Sequence, residues 1–124
     1  MMDAKEFLAA CGGDYEGTMR RLMGNEMLFC RLLPKVFQDG NFQKLEDALT
    51  RGDLDAAFDA AHTLKGVLGN LGLTSLYDKV CKIVEPLRSK DSEADYSALH
   101  QAIQQEFLRL GTLSGQIEAG GTTK

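Results

Sequence analysis

Apolar residues in this chain of 124 residues recur at intervals of three and four, not of two, from the first residues to Leu113. That period belongs to the α-helix, whose successive turns stack residues three and four apart on one side. No cluster of β-branched residues bounded by hairpin turns competes with it. Only two prolines interrupt the pattern, so long helices are possible. The fold class is therefore all-α, and the length fits a single domain able to bury roughly two-thirds of its surface.

The joints between helices are also readable. A short helix from about Asp3 to Cys11 ends at Gly12-Gly13, and Asp14 is expected to cap a second short piece through Thr18 and Leu22. Both are expected to form a lid on a bundle. Asn25 then caps a helix whose stripe is Met27, Leu28, Leu32, Leu33, Val36 and Phe37; a kink is expected at Pro34 and a break at Asp39-Gly40-Asn41. Helical spacing resumes from Phe42 to Leu49. Arg51-Gly52-Asp53 combines a stop with a new cap, and the next helix runs to Leu71 and Gly72. Thr74 is expected to cap a helix ending near Leu87 and Arg88, and Ser89 to Asp95 to link it to a last helix carrying Tyr96, Leu99, Ile103, Phe107, Leu110 and Leu113. Short joints between long amphipathic helices predict an antiparallel up-down four-helix bundle. The domain is placed at residues 1–119, with 120–124 a disordered tail.

A formal net charge of −4 gives no broad basic surface for nucleic acid. No apolar stretch has the length of a signal peptide or membrane span, so the chain is expected to be cytoplasmic and soluble. Three cysteines, Cys11, Cys30 and Cys81, form no C-x-x-C spacing, and are expected to be reduced packing thiols.

Function points to His62. At about 100° per residue, Ala57, Ala60, Leu64, Val67, Leu68 and Leu71 gather on the side of the helix opposite this imidazole. Asp55, Phe58, Asp59, Lys65, Gly66 and Gly69 share its own side. The ring is thus expected to face solvent. A glycine within a helix costs roughly 0.5–1 kcal/mol relative to alanine, and Gly66 and Gly69 both occupy the presented face. Clearance for an approaching partner or phosphoryl group explains them. Lys65, one turn on, is placed to set an ammonium near an anion carried by the ring. An imidazole is a nucleophile that can form a phosphoryl adduct, and such an adduct needs access and positive charge.

The run His62-Thr63-Leu64-Lys65-Gly66-Val67-Leu68-Gly69-Asn70-Leu71-Gly72 resembles the signature of histidine-containing phosphotransfer (HPt) domains, H-x-x-K-G with a glycine ten residues after the histidine. Gly52-Asp53-Leu54 and the stretch from Asp14-Tyr15-Glu16 through Arg20, Gly24 and Phe37 resemble the lead-in of bacterial members. Leu76 and Glu85 extend the likeness forward, so that it covers about residues 12–88, with the last helix similar in character only. Val67 and Leu68, where small residues are frequent, and Pro34 depart from the pattern. The resemblance implies a four-helix bundle with an exposed phospho-acceptor histidine and reversible exchange with the aspartate of response-regulator receiver domains, fed by a hybrid sensor histidine kinase. It assigns acceptance to His62, phosphoryl stabilisation to Lys65 and steric clearance to Gly66. Phe58, Asp59, Gly69 and Asn70 become candidate docking residues. It implies no cofactor in this chain and Mg2+ in the partner receiver; a monomer is expected because a four-helix core can close on itself.

Competing readings are weaker. A histidine kinase would need a glycine-rich nucleotide segment, which is missing, and Thr63 follows His62 where dimerising kinases typically carry an acidic residue. The phosphotransfer module of a chemotaxis-type kinase would continue into further domains. An adaptor that binds receivers without exchange would not need His62 and Lys65. His100 reads as a boundary residue beside its helix's apolar stripe. The carboxylates Glu46-Asp47 and Asp53-Asp55-Asp59 read as solvated faces and caps, and no Glu-x-x-His motif supports a metal site.

Overall fold

Four side chains open four of the helices by the same local chemistry. Asp3, Asn25, Asp53 and Asp95 each accept a hydrogen bond from the backbone N–H three residues on, at Glu6, Leu28, Ala56 and Ala98. Each bond satisfies one of the donors that a helix start leaves unpaired. The fold, obtained as a computed structural model, describes residues 2–117; the expected tail at 120–124 lies outside them. Its helices are α1 (Ala4–Ala10), α2 (Tyr15–Arg21), α3 (Glu26–Val36), α4 (Asn41–Thr50), α5 (Leu54–Leu71), α6 (Thr74–Arg88) and α7 (Tyr96–Ser114).

The all-α expectation holds, and α4 to α7 form a helical bundle in which each packs on its successor. Helix α5 is central. It lies between α4 and α6 and also touches α2 and α3. Ala57, Ala60, Ala61, Leu64, Leu68 and Leu71 are its buried residues, and the three alanines let neighbouring backbones come close. From the other helices Leu45, Leu76, Val80, Ile83, Ile103 and Leu110 complete the core. Aromatic rings also join α4 to α7. Phe42 and Phe37 both meet Phe107, with centroids 4.5 and 5.5 Å apart.

Several local expectations need correcting. The α1–α2 pair is more than a cover, because Phe7 and Leu8 are wholly enclosed and Phe7 meets Phe29 of α3. Asp14 stands at the N-cap of α2 without a side-chain cap bond. Thr74 does not cap α6. Leu73 holds that position without a side-chain cap, and the Thr74 hydroxyl donates back to the Gly72 carbonyl. Val67, expected in the core, is half-buried. Pro34 sits in the last turn of α3, where Phe37 ends the helix three residues later, and the chain restarts at Asn41.

The joint between α5 and α6 decides where the site helix stops. Gly72 adopts φ +75°, a left-handed conformation that favours glycine, and the Leu73 N–H then reaches the Leu68 carbonyl at 3.1 Å. Opposite, the Ser75 hydroxyl and Arg109 both donate to the enclosed Glu106 carboxylate, and Arg109 also donates to the Ala10 carbonyl at 3.1 Å. One buried carboxylate therefore ties α1, α6 and α7 together.

Candidate functional site

His62 lies near the middle of α5, held there by a helix whose other side is locked into the core. Its imidazole is exposed, as the helical wheel requires. Among the described residues its side chain makes no hydrogen bond or ion pair, so both ring nitrogens remain free to react or to bind.

Around it the sequence-predicted residues separate. Gly66, one turn on, is exposed, and a Cβ built there would meet nothing within 4 Å. The surface beside the ring is bare backbone. Gly69 differs, because it is half-buried and an added Cβ would come 3.2 Å from the Tyr77 ring of α6. Packing within the molecule thus accounts for the missing side chain at Gly69. Lys65 is half-buried and, among the described residues, makes no ion pair. Asp59 and Asn70 are exposed, and their carbonyls accept from the Thr63 hydroxyl at 3.0 Å and from Arg21 at 2.9 Å. Phe58 is half-buried rather than presented, and its ring stacks on the His62 ring with centroids 5.5 Å apart.

Helix α6 supplies what sequence reasoning missed. Tyr77 meets Gly69, Arg88 lies over the Phe58 ring at 5.3 Å, and Lys90, just past α6, pairs with Asp55 at 3.2 Å. Numbers rise along one helix as they fall along the other, so α5 and α6 run in opposite directions. Arg88, paired with Glu85 at 3.6 Å, is thereby brought beside the histidine's aromatic neighbour. No signal in the sequence announces this, because it depends on inter-helix register. A groove of about 490 Å³ runs along the other flank, lined by Leu22, Leu32, Val36 and Val67 with Arg21 and Lys35 among its polar residues. It explains why Val67 is only half covered.

The remaining candidates stay apart from this face. His100 is half-buried in a groove between α4 and α7, beside Glu46 and Tyr96. No group of three or more metal-ligating side chains occurs among the described residues. Cys11, Cys30 and Cys81 are free, and burial pushes the Cys11 thiol above its ordinary range, which keeps it protonated. No described helix is long and apolar enough to cross a membrane.

An exposed, unpartnered histidine on a packed helix, with a cation and open backbone one turn away, is an arrangement for group acceptance. A family model of the Hpt domain matches residues 37–116, more than half of the chain, and the protein belongs to the Hpt domain family. Membership implies histidine phosphotransfer in a phosphorelay and interaction with response-regulator receivers. No curated protein and no solved structure matches the chain. The match takes in α7, which the resemblance at the level of sequence reached only in character, and leaves α1–α3 outside it.

Proposed function

We propose that the protein is a phosphoryl carrier whose acceptor is His62. A ring nitrogen attacks the phosphorus of a receiver's phosphoaspartate; an N–P bond forms, the P–O bond to the aspartate breaks, and the carboxylate leaves. The reverse exchange passes the group to a second receiver. The observation that carries this reading is the exposed His62 beside the empty space over Gly66, within the Hpt match.

Lys65 stabilises the phosphoryl oxygens, and Gly66 lets the receiver backbone close on the ring. Asp59 and Asn70 border the docking face, Phe58 lies at its edge against the His62 ring, and Gly69 is accounted for by its packing on Tyr77. The working unit is a monomer in which α4 to α7 form an antiparallel up-down four-helix bundle, a reading supported by the short joints and by the opposed α5 and α6. Receivers and a hybrid sensor histidine kinase in the cytoplasm are its partners. Mg2+ belongs to the receiver, this chain needs no cofactor, and it has no kinase activity of its own.

The test is to incubate the protein with a phosphorylated receiver and, separately, with ATP alone. Acid-labile label on His62 that requires the receiver is the expected result. Label from ATP alone would make the protein a kinase; binding without label would make it an adaptor.

A further inference from the structure

Three side chains from two helices form a layered stack at the site. The Phe58 and His62 rings are inclined by only 28°, with centroids 5.5 Å apart, and the Arg88 guanidinium stands 5.3 Å from the Phe58 centroid. Glu85 holds that guanidinium at 3.6 Å from the preceding turn of α6. Phe58 is itself packed against the core.

The stack follows from helix geometry. Side chains on a helix lean toward its N-terminus, so residue 62 comes down over residue 58. An exposed imidazole without such a platform exchanges between staggered rotamers, and its nitrogens point in several directions. Here the platform is fixed from below by the core and from α6 by Arg88. We infer that Phe58 and Arg88 are positioning residues for His62: the stack holds the imidazole in one orientation, so that its nucleophilic nitrogen is aimed before the receiver arrives. Arg88 acts through Phe58, since its charge is already engaged by the ring and by Glu85. This assigns Phe58 a role in the rate of transfer, where a docking contact would act on affinity.

The inference rests on the phosphotransfer reading, and the test separates the two. The full chain and its variants Phe58→Leu, Phe58→Tyr and Arg88→Met are given an isolated receiver domain phosphorylated with acetyl phosphate. Single-turnover transfer is followed against receiver concentration, and the His62 ring signals are followed by NMR. Phe58→Leu is expected to lose the ring-current shift on His62 and to lower the saturating transfer rate about 3–10-fold, the scale of a lost orientation. Its half-saturating concentration stays within about twofold, because orientation and docking are separate costs. Arg88→Met, which keeps the stem and removes the cation, shows a smaller loss of the same kind, and Phe58→Tyr restores both readouts. A raised half-saturating concentration with an unchanged saturating rate in Phe58→Leu would overturn the inference and make Phe58 a receiver contact. An Arg88→Met variant with both readouts unaltered would remove Arg88 from it. A wild-type chain that accepts nothing from any receiver would end the phosphotransfer reading itself.

Discussion

Tyr77 lies over Gly69, its Cε1 only 3.2 Å from where a Cβ would stand, while the same atom on Gly66 would meet nothing. Two glycines on one helix face therefore have different reasons. Replacing Gly66 by alanine recovers helix propensity without a clash, so Gly66→Ala is expected to raise stability by about 0.5–1 kcal/mol. Gly69→Ala gains the same propensity but must displace the Tyr77 ring, and is expected to fall short of Gly66→Ala by about 1 kcal/mol. Urea midpoints of the two variants check this. If Gly66 serves as clearance, the more stable Gly66→Ala protein also transfers more slowly, and Gly66→Leu more slowly still.

His62→Gln is expected to change stability by no more than about 0.5 kcal/mol, as for other exposed positions, and to abolish acceptance. Lys65→Ala is expected to keep the fold and shorten the life of the adduct or slow its formation. One half-buried but solvent-screened charge near an anion is worth up to about 1 kcal/mol, a roughly fivefold effect that salt should weaken. Transfer time courses at low and high ionic strength decide the point, and an adduct lifetime equal to the wild type in both would take Lys65 out of the mechanism.

The helices are legible because their signals are local. Asn25 and Asp53 cap from within four residues of the groups they bond, and the wheel around His62 needs only the helical period; Asp95, expected in the linker, caps α7 by the same chemistry. What could not be read depends on how helices meet. Arg88 reaches Phe58, and Ser75 reaches Glu106, across gaps of thirty and thirty-one residues, and no pattern in the chain encodes those pairings. Val67 differs from its expected core position for the same reason, since its side of α5 opens onto a groove left between α2 and α3. Thr74 had the right chemistry for a cap, but the turn set by Gly72 starts α6 one residue too early for it.

Gly72 also joins two parts of the molecule. A Cβ there would fall 2.2 Å from the Thr18 hydroxyl of α2 and 3.3 Å from Leu8 of α1, on a backbone at φ +75°. Gly72→Ala combines left-handed strain with overlap against enclosed neighbours, and is expected to cost about 2–4 kcal/mol. Thr18→Ala in the same chain removes the overlapping oxygen and should recover part of that loss but not the conformational part. Denaturation of the single and double variants separates the two contributions.

Glu106 links folding to pH. The Arg109 N–H groups, foremost, and the Ser75 hydroxyl hold its carboxyl below the ordinary value of 4.5 against the opposing effect of burial. A carboxylate with a depressed folded-state pKa contributes stability that is complete above its unfolded value and is lost as pH falls through the folded one. The loss attributable to Glu106 therefore lies below about pH 4.5. Glu106→Gln removes the charge and leaves Arg109 without its partner, which is expected to cost about 1–3 kcal/mol at neutral pH. In acid the wild type loses the same contribution, so the difference between the two proteins should shrink as pH drops below about 4.5. Urea unfolding across that range is the measurement. A difference that stays constant would mean that Glu106 contributes through its shape and hydrogen bonds alone, and not through its charge.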